Sequence, residues 1–192
     1  MSETTEQMEH AQHSENKKIA LLIAILALFL SFSETLGKSA QTEAVDANVK
    51  SSDTWNFFQA KDIRKTTLLA AADQTKLLSA GLTDPAAKAA IDKQIAAWRK
   101  TADRYESDPQ SGTGRKELGE QAKEQEQERD LAMAKYHHYE IASAAFQVGI
   151  VLASATVITG MVALAWIAGA LGIVGLALLG LGIFAPFALT LV

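Results

Sequence analysis

The chain has 192 residues, a formal net charge of −4 and no cysteine. The missing thiols exclude disulfides, cysteine-ligated zinc, iron–sulfur clusters and thiol catalysis, and the acidic balance argues against general nucleic-acid binding, which needs a basic stripe to neutralise phosphates. Charge is segregated: residues 38–140 hold 16 of the 18 Lys/Arg and 17 of the 22 Asp/Glu, whereas residues 141–192 hold none and no His, a split that suits one part to water and another to lipid.

Residues 1–18 are expected to form a disordered polar tail, since residues 1–16 carry four Glu, two His and no aromatic. His10 and His13 are three apart, but without order around them they do not make a metal site. Residues 19–36 follow as transmembrane helix 1, with the core IALLIAILALFL. From Lys18 to Lys38 is 20 residues, ~30 Å of helix, which matches the hydrocarbon thickness. A signal peptide cleaved near Ser31-Phe32-Ser33 is the competing reading. Its leading region would be unusually long and acidic, which favours a retained helix.

Residues 37–140 read as a charged helical hairpin domain with helices about 41–80, 86–105 and 115–140. The first lacks Pro and Gly, although Ser52 or Asp53 offers a cap for a restart at Thr54-Trp55. In WNFFQAKDIRK, Trp55 and Phe58 share a face and serve either as a packing anchor or as a contact for headgroups or a partner protein. GLTDP, residues 81–85, is a break: Gly81 suits a helix C′ position, Thr83 or Asp84 an N-cap, and Pro85 the first helical residue. Beyond it Ala87, Ile91, Ile95, Trp98, Ala102 and Tyr105 form one apolar stripe that needs a partner helix. SDPQSGTG, residues 107–114, is a loop without the spacing of a phosphate-binding motif. The outgoing leg to Ala80 is ~60 Å long and the broken return legs ~30 and ~39 Å. A straight antiparallel hairpin therefore closes, and a compact three-helix bundle also fits.

Transmembrane helices 2 and 3 are expected at residues 141–166 and 170–192, with a charge-free turn around residues 167–172. Ala145, Gly149 and Ala153 form a small-xxx-small stripe, and Gly169 and Gly172 repeat the spacing from Ala165 and Ala168. Such stripes let helix backbones approach closely, within a hairpin or between copies. Lysine and arginine counts near the span ends lean toward a cytoplasmic helical domain.

Any chemistry is expected where the charged part meets the spans. Glu34 ends the first span, and His137, His138 and Glu140 precede the second. A carboxylate at a span edge costs free energy unless hydrated or paired, and histidines beside carboxylates can relay protons. His137 and Glu140, three apart, share a face and could hold a metal with Glu34. The competing reading is an interfacial belt of Tyr136, Tyr139 and polar groups reaching water. No Ser-His-Asp pattern, HExxH or GxGxxG occurs, so no catalytic, cofactor-binding or metal residue is assigned.

The segments LLIAILALFLSFSETLGK and SSDTWNFFQAKDIRK, the charged helical middle and the C-terminal hydrophobic hairpin together resemble a family of small bacterial membrane proteins, domain of unknown function 4337. The resemblance implies a bacterial inner (cytoplasmic) membrane setting and no activity. The expected fold is all-α: three transmembrane helices with a long extramembranous antiparallel helical hairpin between spans one and two. The expected function is a non-enzymatic, self-associating scaffold or partner-binding stalk in the lipid bilayer, with no cofactor. The alternative is an oligomeric ion or small-solute channel with Glu34 and Glu140 at its mouth.

Overall fold

The computed structural model describes residues 3–188, with side chains from residue 16 onward. Among these residues the secondary structure is four α-helices and no strand: α1 Glu3–Ser79, α2 Pro85–Glu106, α3 Arg115–Thr159 and α4 Val162–Phe184. The tail expected to be disordered lies for the most part outside the described side chains, and α1 starts at Glu3. Three helices (α1, α3 and α4) are long and apolar enough to cross a membrane.

Helix α1 does not restart near residue 54. Thr54 Oγ1 donates 2.9 Å back to the Lys50 carbonyl, and Thr42, Thr66 and Thr67 fold back in the same way. These hydroxyls satisfy themselves on the preceding turn instead of capping a new helix. At its end, Ala80 N–H donates to Leu77 O at 3.3 Å and Leu82 N–H to Ser79 O at 3.2 Å. These tight turn bonds use up two of the last carbonyls. Gly81 stands two residues past the last helical residue, without a positive φ: among the described residues only Gly112 and Gly160 have one.

Asp84 caps α2, its Oδ1 accepting from Ala86 N–H at 2.9 Å, and Pro85 is the first helical residue. Proline suits that position because its missing N–H would have no intrahelical partner. Between residues 85 and 105, the residues that are buried or half-buried are Ala87, Ile91, Ile95, Trp98, Ala102 and Tyr105. The apolar stripe of α2 is thus the face it packs.

The break between α3 and α4 falls at Gly160 and Met161, not at residues 167–172. Gly160 has φ 70°, a left-handed conformation that glycine enters without the Cβ penalty. Gly169 and Gly172 lie inside α4 instead. The helix keeps 23 residues, ~35 Å and enough to span a bilayer.

The chain divides into two compact units, one of Met1–Ala44 with Asp130–Val192, the other of Val45–Arg129. In the first, Leu26, Ala142 and Phe146 are the buried centre, flanked by Leu22, Phe29, Leu30, Ile150, Leu178 and Leu179. Phe29 and Phe146 stack with centroids 6.0 Å apart. The face of α1 turned inward carries Ser33, Gly37, Ala40 and Ala44, all buried. Their steps of four, three and four residues are the spacing of a helix–helix seam, and their size lets backbones come close. In the second unit Ala47, Ser51, Ala72, Ile95, Ala102, Leu118 and Ala122 are buried.

Candidate functional site

In the first unit an open groove of about 420 Å³ lies between α1 and α3. Glu34, Lys38 and Gln41 line it from α1, and Tyr136, Glu140, Ser143 and Gln147 from α3. The small buried seam of α1 sets this geometry. Ser33 is fully buried, and its hydroxyl donates to the Tyr139 carbonyl at 2.8 Å. That bond ties the two helices together and leaves the next residue, Glu34, exposed on the groove wall. Gln147 Nε2 donates to Glu34 Oε1 at 3.3 Å. Gln147 is the one carboxamide in residues 141–192, and it supplies the carboxylate with a neutral partner.

The four residues singled out at the span border do not form one cluster. Glu34 and Glu140 face the same groove. His137 Nδ1 lies 3.9 Å from Glu140 Oε2, a loose pair with both side chains substantially exposed. His138 leaves the group altogether. It is 1% exposed, and its Nε2 is 3.0 Å from the carbonyl of Pro186, just past α4. Its Nδ1 is buried without a hydrogen-bond partner. Adjacent residues on a helix point ~100° apart, so the two histidines serve different surroundings. Among the described residues no group of three or more His, Cys, Asp or Glu is placed to hold a metal ion. The groove instead offers two carboxylates, one lysine, two amides and hydroxyls, a polar surface beside an apolar bundle. Lys38, Gln41, Ser143 and Gln147 were not among the expected site residues. The signal for them was Gln147, a lone amide within an apolar run.

The small residues of the spans divide by what they meet. Ala145 is half-buried, and Gly149 and Ala153 are buried. A Cβ on Gly149 would come within 3.2 Å of Leu26 and 3.3 Å of the Ala168 carbonyl. A Cβ on Gly172 would press on Leu26, one on Gly175 on Phe146, and one on Gly182 on Tyr139 and His138. Gly169 behaves differently: a Cβ there meets nothing within 4 Å. It does not pack another helix of the same chain.

In the second unit the aromatic and charged residues of WNFFQAKDIRK knit three helices together. Trp55 Nε1 donates to Glu126 Oε1 at 2.8 Å, and the Trp55 and Phe58 rings meet edge to face with centroids 5.2 Å apart. Phe58 is covered by the Arg115 guanidinium, 5.4 Å from the ring centroid. Arg115 holds Glu106 through Nε at 2.9 Å and Asp62 through Nη1 at 3.1 Å, while Lys65 Nζ reaches Glu106 Oε2 at 2.7 Å. Hydrogen bonds from Arg115, then from Lys65, push the Glu106 carboxyl down from 4.5 to about 2. Glu117 begins α3 by accepting from Ser107 Oγ at 2.6 Å and Asp108 N–H at 3.2 Å, and the Ser107 bond, the largest influence, lowers its pKa. Trp55 and Phe58 thus contact each other half-buried on α1, and Trp98 lies half-buried on the α2 stripe.

No curated protein and no solved structure matches the chain. A family model described as domain of unknown function (DUF4337) matches residues 15–185, all three apolar segments and the charged region between them included. The chain belongs to that family, domain of unknown function 4337.

Proposed function

We propose that this is a non-enzymatic integral protein of the bacterial inner membrane that self-associates. Its charged segment between the first and second spans would form an antiparallel helical hairpin, leaning cytoplasmic, that serves as a scaffold or a partner-binding stalk. The observation that carries the reading is the two-sided use of glycine on α4. Ala168, Gly172, Gly175 and Gly182 are buried within the chain, whereas Gly169 and Gly180 have open space where a Cβ would stand. Those two glycines are 11 residues apart, ~20° around a helix, so they share a face, on which the exposed Ile173 and Leu176 stand between them. In lipid, a small residue on an open helix face lets a second helix approach closely at that point, and the large apolar residues between the two glycines would pack against it. Support for the hairpin comes from the second unit, where Ser51 reaches Ala122 and Asp62 reaches Arg115, so partners further along α1 lie earlier on α3. Ile63, Leu77 and Leu78 there are 67%, 78% and 75% exposed, apolar surface open to a second copy or a partner. The test is the mass of the detergent-solubilised full chain. A multiple of the chain mass that falls to a monomer in Gly169→Leu is the expected result. A strictly monomeric parent protein contradicts the reading.

A second reading is favoured by the groove itself. Glu34, Glu140 and Gln147 around one open cavity would suit the mouth of an ion or small-solute path. Spans two and three contain no charge, so such a path would need several copies and gating by dewetting of an apolar constriction. Flux into liposomes that is lost in Glu34→Gln supports this reading, and absence of flux under every imposed gradient removes it.

A further inference from the structure

A second groove, of about 280 Å³, lies in the first unit and is lined by Lys18, Ile19 and Leu22 from α1 and by Val162, Ala165 and Trp166 from α4. Its character is opposite to that of the Glu34 groove. The wall is apolar, its one charged lining residue among the described residues is Lys18, and Lys17 precedes it in the chain. The N-terminus of α4 borders the same volume, since Val162 is the first residue of that helix. Met161 at the N-cap brings no side-chain acceptor to the first turn, while its own N–H donates to Thr159 Oγ1 at 3.3 Å and Leu164 N–H to the Met161 carbonyl at 3.1 Å. The lysine and the positive end of the α4 dipole both favour negative charge beside this groove, and the apolar wall favours hydrocarbon. Trp166 is 78% exposed and lines the groove, placing an amphipathic ring of the kind that settles at headgroup level.

We infer that this groove is a binding site for an anionic phospholipid, with the headgroup phosphate at Lys18 and the α4 N-terminus and the upper part of one acyl chain along Ile19, Leu22, Ala165 and Trp166. The occupant follows from complementarity: an anion above hydrocarbon matches a cation above an apolar cleft. The volume lies at the small end for ligand pockets, ~300–1,000 Å³, so the site takes the glycerol end of a lipid and leaves most of its chains in the bilayer. Basic pockets between membrane helices recognise anionic headgroups in this way, and each lysine near the surface contributes about fivefold in affinity. The inference rests on the membrane-embedded reading of the first unit.

The test uses the full chain in phosphatidylcholine bilayers containing a fixed fraction of lipid brominated on its acyl chains, either phosphatidylglycerol or phosphatidylcholine. Bromine quenches tryptophan on contact. Trp55 and Trp98 lie in the second unit and supply an unquenched background, which Trp166→Phe should reveal by itself. The expected result is stronger quenching by brominated phosphatidylglycerol, an apparent preference of about 25-fold, with about fivefold from each of Lys17 and Lys18. Lys18→Gln should reduce that preference by about fivefold, and Lys17→Gln together with Lys18→Gln should abolish it. Equal quenching by the two lipids would overturn the lipid site and leave the membrane reading standing. No quenching by either would overturn both. A preference unchanged in the double variant, or a quenched signal persisting in Trp166→Phe, would overturn the assignment to this groove.

Discussion

Gly175 of α4 faces the ring of Phe146 on α3 so closely that a Cβ on the glycine would lie 2.7 Å from Phe146 Cε1. Phe146 is fully buried and in turn stacks on Phe29 of α1, so this one absent methyl group sets how three helices of the first unit meet. In a bilayer, lipid tails are as apolar as the side chains they compete with, and fit between helices therefore contributes more than burial does.

Gly175→Leu should consequently destabilise the first unit by about 1–3 kcal/mol, the usual cost of forcing volume into a packed site. Gly169→Ala, at a position with open space around it, should leave stability within about half a kcal/mol, as exposed substitutions do. Thermal unfolding of both variants in one detergent measures the difference. Equal effects at the two positions would contradict the packing described for Gly175.

The Glu106 cluster predicts a dependence on acid. Its carboxyl is held at about 2 in the folded protein against an ordinary 4.5. The folded-state pKa is the lower one, so the stabilisation is fully present above pH 4.5 and is lost as pH falls through that interval toward 2. Allowing for a side chain 26% exposed, this contribution is about 1–2 kcal/mol. Glu106→Gln should remove it at neutral pH and flatten the acid limb of stability between pH 4.5 and 2, as followed by denaturant unfolding of the full chain at a series of pH values.

His138 should act as a latch on the end of α4. To donate to the Pro186 carbonyl, Nε2 must carry a proton, and the buried Nδ1 has no hydrogen-bond partner. His138→Phe keeps a ring in the site and removes the donor, which leaves the carbonyl without that bond. Losing one such bond costs about 1 kcal/mol. Amide exchange just beyond α4, at Ala188, whose N–H donates to Ala185 O at 2.9 Å, should then quicken by about fivefold to tenfold. Exchange at the Leu26–Phe146 core should be unaffected.

The candidate residues differ in how far they could be read in advance. The α2 stripe was legible because an amphipathic period states which face packs, whatever packs against it. Trp55 and Phe58 were legible as neighbours because both sit on one helix three residues apart. The Trp55–Glu126 and Arg115–Asp62 pairs join residues separated by 71 and 53 positions, and helical periodicity holds no information about register between helices. The small-residue seam at Ser33, Gly37, Ala40 and Ala44 shows in the sequence as steps of four and three, but it runs from the end of the apolar core into charged sequence, where hydropathy marks no buried face. His137 and His138 show the opposite limit. They look alike in sequence, and only the position of α4 makes one exposed and the other buried.

The contrast between charge-free and charged segments determined the class by itself: helices rather than strands, three of them long and apolar enough to cross a bilayer. Length and polarity suffice for that, because the hydrocarbon thickness and the need to satisfy backbone groups inside lipid leave few other solutions. The tertiary structure alone decided the rest. It moved the turn between the last two helices to Gly160, divided the glycines of α4 into packed and open ones, brought Glu34 opposite Gln147 while sending His138 to Pro186, and opened a groove between Lys18 and Trp166. Each of these depends on register and rotation between helices. Those are settled by contacts among residues distant in sequence, which no local pattern encodes.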